Sequence, residues 1–531
     1  MKPFAIVLSL LLGVASSADD RPNILLIVAD DLGYADIGAW GSDISTPNID
    51  SIARRGQSFT RFHTAPMCGP TRAMLMSGNN NHVAGVGRQY ASGPVQDHLP
   101  GYEDRLSDRI VPFPRLLQAA GYRTVMAGKW HLGHHVDHGP VAAGFDRAYS
   151  LLHGAANHYD ERGYTEKGSV YAENGEFVDY PVGTYSTTLY TDKLISYLEE
   201  TRESGKPFFA YAAYTSPHWP LQAPAEDIAK YAGRYADGYE ALRIDNFERL
   251  TRAGVIRGNH ALPPRNPGIT PWEDLTAEEQ KVEAKKMQLY AAMVDNLDQH
   301  IGQLFDYLRR TNDIDNTIII FMGDNGAAAE DFFESDRTPY KAYVQATYNN
   351  DYDQMGSPKS FVSYGPQWAE AGSAPFSRHK THMTSGGVIA PLLVAGPGIA
   401  GTGYQRMFVT VMDLAPTLLE LAGASYPDTG FEPMRGRSLL PLWSGNAARV
   451  HDDDDVFVLS HRNRAMLRQG SWKIANRDVP FSESHFMLFN VEDDPGEGVD
   501  LSEKYPEKRD ALIELWRAHR RELGIVLPQD L

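Results

Sequence analysis

The sequence predicts an α/β fold: a large sheet covered on both sides by helices, followed by a small C-terminal α+β unit with an antiparallel sheet. Three observations predict it. Short apolar runs end in polar, glycine-bearing loops, as buried parallel strands do. Helical patterns lie between those runs. Beyond a charged, loop-like break the apolar runs become shorter and close with one last helix. At 531 residues and 42% hydrophobic, the chain has the apolar mass for such a core.

The elements follow in order. Lys2 precedes an apolar run, Phe4 to Val14, and then Ala15-Ser16-Ser17-Ala18. This is the pattern of a signal peptide over residues 1–18, too short to span a bilayer. No cysteine follows it to carry a lipid anchor, and no later stretch is apolar for long enough to cross a membrane. An exported protein without a membrane anchor, periplasmic or secreted, is expected.

Asn23-Ile24-Leu25-Leu26-Ile27-Val28-Ala29 reads as the first strand and ends at Asp30-Asp31. Tyr122 to Ala127 ends at Gly128-Lys129-Trp130-His131, and Pro207 to Tyr214 ends at Ser216-Pro217-His218. Thr317 to Met322 ends at Gly323-Asp324-Asn325-Gly326. The clearest helix puts Tyr290, Met293, Val294, Leu297, Ile301, Leu304, Phe305 and Leu308 on one face. Residues 222–285 are polar, punctuated by proline and only weakly helical. Residues 327–379 carry Tyr340, Tyr343, Tyr348, Tyr352, Tyr364 and Trp368 among polar residues. Both stretches read as surface excursions, the second long enough to form a pocket rim.

The break runs from Ser438 to Gly445 and on through His451 to Asp455, so a large unit over 19–447 and a small one over 448–531 are expected. In the small unit the strand-like runs are Val456 to Leu459, Ala465 to Leu467, Trp472 to Ile474 and Met487 to Phe489, with a helix over Lys508 to Leu523.

Charge and cysteine content narrow the function. The chain has 50 basic and 68 acidic residues, a net charge of −18. Nucleic-acid binding runs on phosphate neutralisation by Lys and Arg, so no nucleic-acid partner is expected. An anionic substrate needs a local basic pocket set against the overall field. The single cysteine, Cys68, excludes internal disulfides and a cysteine-based zinc cluster.

In open α/β sheets, ligands gather at the carboxyl ends of the strands. Those ends carry Asp30, Asp31, Lys129, His131, His218, Asp324 and Asn325. Singly, these are ordinary turn or surface residues. Together, Asp30, Asp31, Asp324 and Asn325 offer oxygen donors of the kind that hold Ca²⁺ or Mg²⁺. His131 to His138 contains four histidines, but the flanking Gly133 and Gly139 favour a mobile surface loop over a zinc site. His63 reads as a structural hydrogen bonder. Cys68-Gly69-Pro70-Thr71-Arg72 places proline in a first helical turn, so Cys68 sits at a helix N-terminus, where negative charge is favoured. The alternative is a buried, inert thiol.

The run from Cys68 to Gly78 resembles the signature of the type I sulfatases, in which the Cys of a Cys-x-Pro-x-Arg pentapeptide is oxidised to formylglycine. Asn23 to Asp31, Gly128 to Gly133, Ser216 to Pro224, Gly323 to Gly326 and Asp494-Pro495-Gly496-Glu497 are similar to family segments in the same order. Gly154 to Tyr159, Pro217 to Pro224 and Tyr364 to Ala369 resemble the bacterial arylsulfatases. The resemblance implies an alkaline-phosphatase-like large mixed sheet, and Cys68 converted to formylglycine by a maturation enzyme. One hydroxyl of the hydrated aldehyde would attack sulfur; the second would expel sulfate as the aldehyde re-forms. It also implies a divalent cation, Ca²⁺ or Mg²⁺, held by Asp30, Asp31, Asp324 and Asn325 and touching residue 68.

By matched position, Arg72 steadies the diol, Lys129 binds sulfate and His131 orients or deprotonates the diol. His218 serves the leaving oxygen. Lys380, before Ser385-Gly386-Gly387, is the second sulfate clamp; Ser385 stands where the family usually has Glu. Aryl sulfates are the substrate this implies. A carbohydrate sulfatase and a phosphodiester or phosphonate monoester hydrolase share its chemistry. A metal-stabilised binding protein with unmodified Cys68, or a Cys–His thiol hydrolase, uses the same residues differently. The oligomeric state is left open.

Overall fold

The computed structural model describes residues 21–88, 98–200, 202–258, 260–336, 338–527 and 530. The expected signal peptide, 1–18, lies outside the described residues. The strands of the large sheet begin with β1 (Asn23–Ala29), β2 (Gln57–His63), β3 (Arg123–Lys129) and β4 (Arg147–Leu151). They continue with β5 (Tyr171–Glu173), β6 (Glu176–Val178), β7 (Phe208–Ala213) and β8 (Thr317–Gly323). The last are β9 (Ile389–Ala395), β10 (Gly403–Gln405) and β11 (Val409–Thr410). The spatial order is β10-β2-β9-β8-β1-β7-β3-β4-β5-β6, with β11 also on β2.

The four strands legible in the sequence are the neighbours β8-β1-β7-β3, all mutually parallel. Every residue of β1, β7 and β8 is buried, which is why their sequences are continuous apolar runs. The sheet is mixed because β9 runs antiparallel to both β2 and β8, and β5 antiparallel to β4 and β6. Helices cover it in two groups. Pro47–Arg55, Ser186–Glu200 and Ala277–Arg310 pack together, as do Cys68–Ser77, Phe113–Ala119 and Leu414–Leu421.

The helix Ala277–Arg310 opens with a capping box of Thr276 and Glu279, and all eight residues of its expected apolar face are buried. Residues 222–285 are not a plain surface excursion. They contain the helices Ala225–Lys230 and Gly238–Arg252. The second buries Tyr239, Leu242, Arg243, Asn246 and Leu250, so polar members conceal the stripe. Arg243 and Asn246 are satisfied by donating to the carbonyls of Pro263 and Ala371. The stretch 327–379 likewise contains helices, Lys341–Thr347 and Gly365–Gly372, and Tyr348, Tyr364 and Trp368 are buried rather than on a rim.

The C-terminal unit is an antiparallel meander of β12 (Val456–His461), β13 (Arg464–Gln469), β14 (Trp472–Ala475) and β15 (Met487–Asn490). Helix Pro506–Glu522 packs on it through Leu512 and Trp516. Arg462 and Asn463 join β12 to β13 and both have positive φ, +46° and +61°, as a two-residue hairpin loop requires. No helix among the described residues is long and apolar enough to cross a membrane.

Candidate active site

Each of the four central strands delivers its loop to the same edge of the sheet. Asp30 and Asp31 follow β1, Asp324 and Asn325 follow β8, Lys129 ends β3 with His131 two residues on, and His218 follows β7. Gly128 lets β3 close on β7: its φ is +120°, and a Cβ there would meet the Ala213 carbonyl at 1.9 Å. Asp31 and His131 both hold positive φ, +65° and +60°, a conformation that costs energy and concentrates at functional sites. The Asp31 loop is braced from behind. Tyr290 donates to Asp36 at 2.7 Å and accepts the Gly33 N–H at 2.9 Å.

Cys68 opens the helix Cys68–Ser77 and is fully buried. Thr71 fixes the turn before it, accepting the Ala65 N–H at 3.0 Å. Burial, reinforced by Asp30 and Asp324 and opposed by Lys129 and Lys380, pushes the Cys68 thiol up to about 11. An unmodified thiol here is protonated at neutral pH and a poor nucleophile, which argues against the thiol-hydrolase reading.

Three carboxylates face three cations in this buried cluster. Lys129 Nζ lies 2.6 Å from Asp30 Oδ2, and Lys380 Nζ lies 2.7 Å from Asp31 Oδ1. Arg72 donates to Asp324 Oδ2 from Nη2 at 2.9 Å and from Nε at 3.2 Å. Its Nη1 is held by the Lys129 carbonyl at 2.9 Å and by the Tyr211 hydroxyl at 3.3 Å. Burial alone would raise Asp31, but Lys380, His218 and Lys129 bring it down to about 2. Burial and the Asp30 charge raise Asp324 to about 6 in spite of Arg72 and Lys129. His218 donates from Nδ1 to the Trp219 carbonyl at 2.7 Å, and its Nε2 lies 3.3 Å from Asp31 Oδ2. Burial drives both His218, to about 3, and His131 toward the neutral form, and Lys129 and Lys380 push the same way.

The donor set fits a hard cation. Asp30 Oδ1 and Asn325 Oδ1 are buried oxygens with no hydrogen-bond donor, a costly state that a cation relieves. Asn325 is oriented by its own amide, which donates to Asp31 Oδ1 at 2.6 Å and to the Gly326 carbonyl at 2.9 Å. The grouping of ligand atoms within 4.8 Å is Asp30, Asp31, Cys68 and His218. Asp324 is not in that group; its Oδ2 accepts from Arg72 Nη2 at 2.9 Å and its Oδ1 accepts the Asp31 N–H at 3.2 Å. Among the described residues, the histidines of 131–138 form no such group; His131 is buried while His134, His135 and His138 are exposed. His63 is a buried hydrogen bonder, to the Arg61 carbonyl at 2.9 Å and to Arg468 at 3.3 Å.

Lys380 is buried, its N–H held by the Ala327 carbonyl at 3.0 Å. Ser385, five residues on, is met by a carboxylate distant in sequence. Glu497 accepts the Ser385 N–H at 3.0 Å and the Ser385 hydroxyl at 2.9 Å, and pairs with Lys473 Nζ at 2.6 Å. All three side chains are buried, so the small C-terminal unit supports the Lys380–Gly386 loop directly. In the sequence Glu497 stands out only as part of the family-like segment Asp494 to Glu497, with nothing to place it against Ser385, and Lys473 does not stand out. Glu497→Ala leaves Lys473 buried and unpaired, and is expected to cost about 3–5 kcal/mol in chemical denaturation. The double variant Glu497→Leu/Lys473→Met should recover much of that loss. A single variant with unchanged stability would show that the pair carries no such support.

Comparison with known proteins agrees with this geometry. A family model described as Sulfatase matches residues 22–424. An uncharacterized sulfatase of Schizosaccharomyces pombe is 37% identical, covering 96% of this chain and 95% of that protein. The arylsulfatase of Klebsiella aerogenes is 38% identical, covering 80% of this chain and 91% of the enzyme. Among solved structures, Ps i-CgsB in complex with k-i-k-neocarrahexaose is similar with a TM-score of 0.67 at 26% identity, over 94% of this chain and 92% of the other. The chain is therefore a member of the type I sulfatase family, close to the arylsulfatases, and a sulfuric ester hydrolase.

Proposed function

We propose that the chain hydrolyses sulfate monoesters, with aryl sulfates as its substrates, using a hydrated formylglycine made from Cys68 and a bound divalent cation, Ca²⁺ or Mg²⁺. The observation that carries this reading is the placement of Cys68 among three buried cations, beside two buried oxygens that lack donors. Similarity to the Klebsiella aerogenes arylsulfatase supports the aryl class. Export to the periplasm or medium, and conversion of Cys68 by a maturation enzyme, belong to the same proposal.

Asp30, Asp31, Asp324 and Asn325 would hold the cation, with residue 68 beside them. When bound, the cation neutralises the carboxylates and polarises a sulfate oxygen. When formed, the hydrated aldehyde at residue 68 supplies a nucleophilic oxygen and, in its second hydroxyl, a means of releasing sulfate. The chain's own residues do the rest. Lys129 and Lys380 keep their protons and bind sulfate oxygens, since their carboxylate neighbours hold their pKa values up. Arg72 orients Asp324 and adds positive charge beside residue 68. His131, held neutral, accepts a proton from the residue 68 hydroxyl. His218 is fixed through its Nδ1–H on the Trp219 carbonyl, and would give the leaving oxygen a proton from Nε2 only when a second proton is taken up there.

The natively matured enzyme is expected to turn over 4-nitrophenyl sulfate with a kcat/KM well above that for bis(4-nitrophenyl) phosphate. Preference for the phosphodiester would overturn the sulfatase assignment of this pocket in favour of the phosphodiesterase reading.

A further inference from the structure

Lys380 lies on the floor of a cleft of about 1140 Å³ whose remaining walls the proposed chemistry does not use. One rim of that cleft is basic. Arg378 stands two residues before Lys380, and Arg462 and Arg464 reach the cleft from the β12–β13 hairpin of the C-terminal unit. None of the three pairs with a carboxylate among the described residues; Arg464 has only a long 3.5 Å contact from Nε to the Arg477 carbonyl. They act on one another instead. Burial lowers Arg464, and Arg462 and Arg378 lower it further. Burial holds His379 to about 4, and Arg378 and Arg464 press the same way. The opposing acids are Asp478 and Glu330, whose fields reach Arg464, and Asp478 and Glu370, whose fields reach Arg378, but none of them forms an ion pair with the three guanidinium groups among the described residues.

The backbone points the same way. Arg378 has φ +63° and Arg462 φ +46°. Glycine or asparagine would hold either position more cheaply, so the chain bears strain in order to present guanidinium groups there. In a protein of net charge −18, three arginines without an ion-pair partner among the described residues line the cleft beside Lys380, with Glu330, Asp331 and Glu334 elsewhere in its lining. Guanidinium groups suit planar or tetrahedral oxyanions through paired N–H donors.

We infer that this rim is a second oxyanion subsite, so that the preferred substrate is a sulfate ester whose leaving group carries another fixed negative charge, a sulfate or a carboxylate. The cleft's volume accommodates a leaving group larger than a single phenol ring. Phe332 and Tyr340 line the same cleft. This inference rests on the sulfatase reading above and adds a substrate class to it.

The test uses the natively matured enzyme and three probes: a neutral disaccharide monosulfate, the same disaccharide with a second sulfate on the other ring, and the same disaccharide with a uronate carboxylate on that ring. A kcat/KM roughly tenfold to a hundredfold higher for either doubly charged probe is expected, the range of a charged hydrogen bond. The better of the two arms identifies the second group. Arg464→Gln should remove most of that preference, and so should Arg462→Gly, which suits the positive φ and keeps the hairpin. Equal kcat/KM for all three probes would overturn the inference alone, provided 4-nitrophenyl sulfate is still hydrolysed. A preference untouched by both variants would overturn its assignment to these arginines. Failure to hydrolyse any sulfate ester, 4-nitrophenyl sulfate included, would overturn the sulfatase reading and this inference with it.

Discussion

Cys68→Ala is expected to reduce sulfate ester hydrolysis by roughly 10⁴-fold or more, the scale on which a covalent nucleophile is lost, while the protein remains folded. The side chain is fully buried, but it is small, and the turn around it is held by Thr71 and Ala65 rather than by sulfur. Removing the sulfur atom therefore leaves little cavity. Cys68→Ser is the sharper comparison. Serine keeps a hydroxyl at the helix N-terminus but lacks the second oxygen on the same carbon. A serine variant should at best be sulfated once and stall, giving no steady turnover. Turnover by the alanine variant within tenfold of wild type would contradict the nucleophile assignment.

Removing the divalent cation is expected to cost several kcal/mol of barrier stabilisation, on the order of a thousandfold in kcat. Dialysis against a chelator should abolish activity, and Ca²⁺ or Mg²⁺ should restore it; which ion restores it better settles the choice between them. Asp324→Asn should lower both metal content and activity. The asparagine variant is preferable to alanine, because its amide oxygen can still accept from buried Arg72, which Asp324 Oδ2 does at 2.9 and 3.2 Å, although neither variant neutralises that charge. Alanine would remove the acceptor as well and add a folding penalty of about 3–5 kcal/mol. A chelator-treated enzyme that works at its original rate, or a metal-replete and fully active Asp324 variant, would contradict the ligand assignment.

How much of this was legible in the sequence follows from where each signal resides. β1, β7 and β8 are buried on both faces, so their apolar runs announce them, and their terminal residues inherit the site. Strand β2 was not legible. Gln57, Ser58, Thr60, Arg61 and His63 give it a polar composition, yet it is almost wholly buried between β9 and β10. Its polar groups are met by distant partners: Gln57 donates to the Ala400 carbonyl at 2.8 Å, and His63 contacts Arg468. The helix Gly238–Arg252 was concealed in the same way, by Arg243 and Asn246 on its buried face.

The site divides along the same line. Cys68, Arg72, Lys129 and Lys380 lie in local motifs or follow strand ends, so they could be named from the chain. The supporting contacts of Tyr290, Glu497 and Lys473 could not. Tyr290 is read correctly as a core residue, but its hydroxyl bond to Asp36 joins positions 254 residues apart. Glu497 reaches Ser385 across 112 residues, and no local pattern encodes such a contact. The basic rim of Arg378, Arg462 and Arg464 likewise exists only once the hairpin of the small unit is folded over the cleft.

Mass spectrometry of the peptide containing residue 68, from natively produced and catalytically active protein, tests the central claim most directly. An aldehyde or its hydrate is expected at that position, reactive with a carbonyl reagent and indifferent to thiol alkylation. An intact cysteine thiol in fully active material would contradict it.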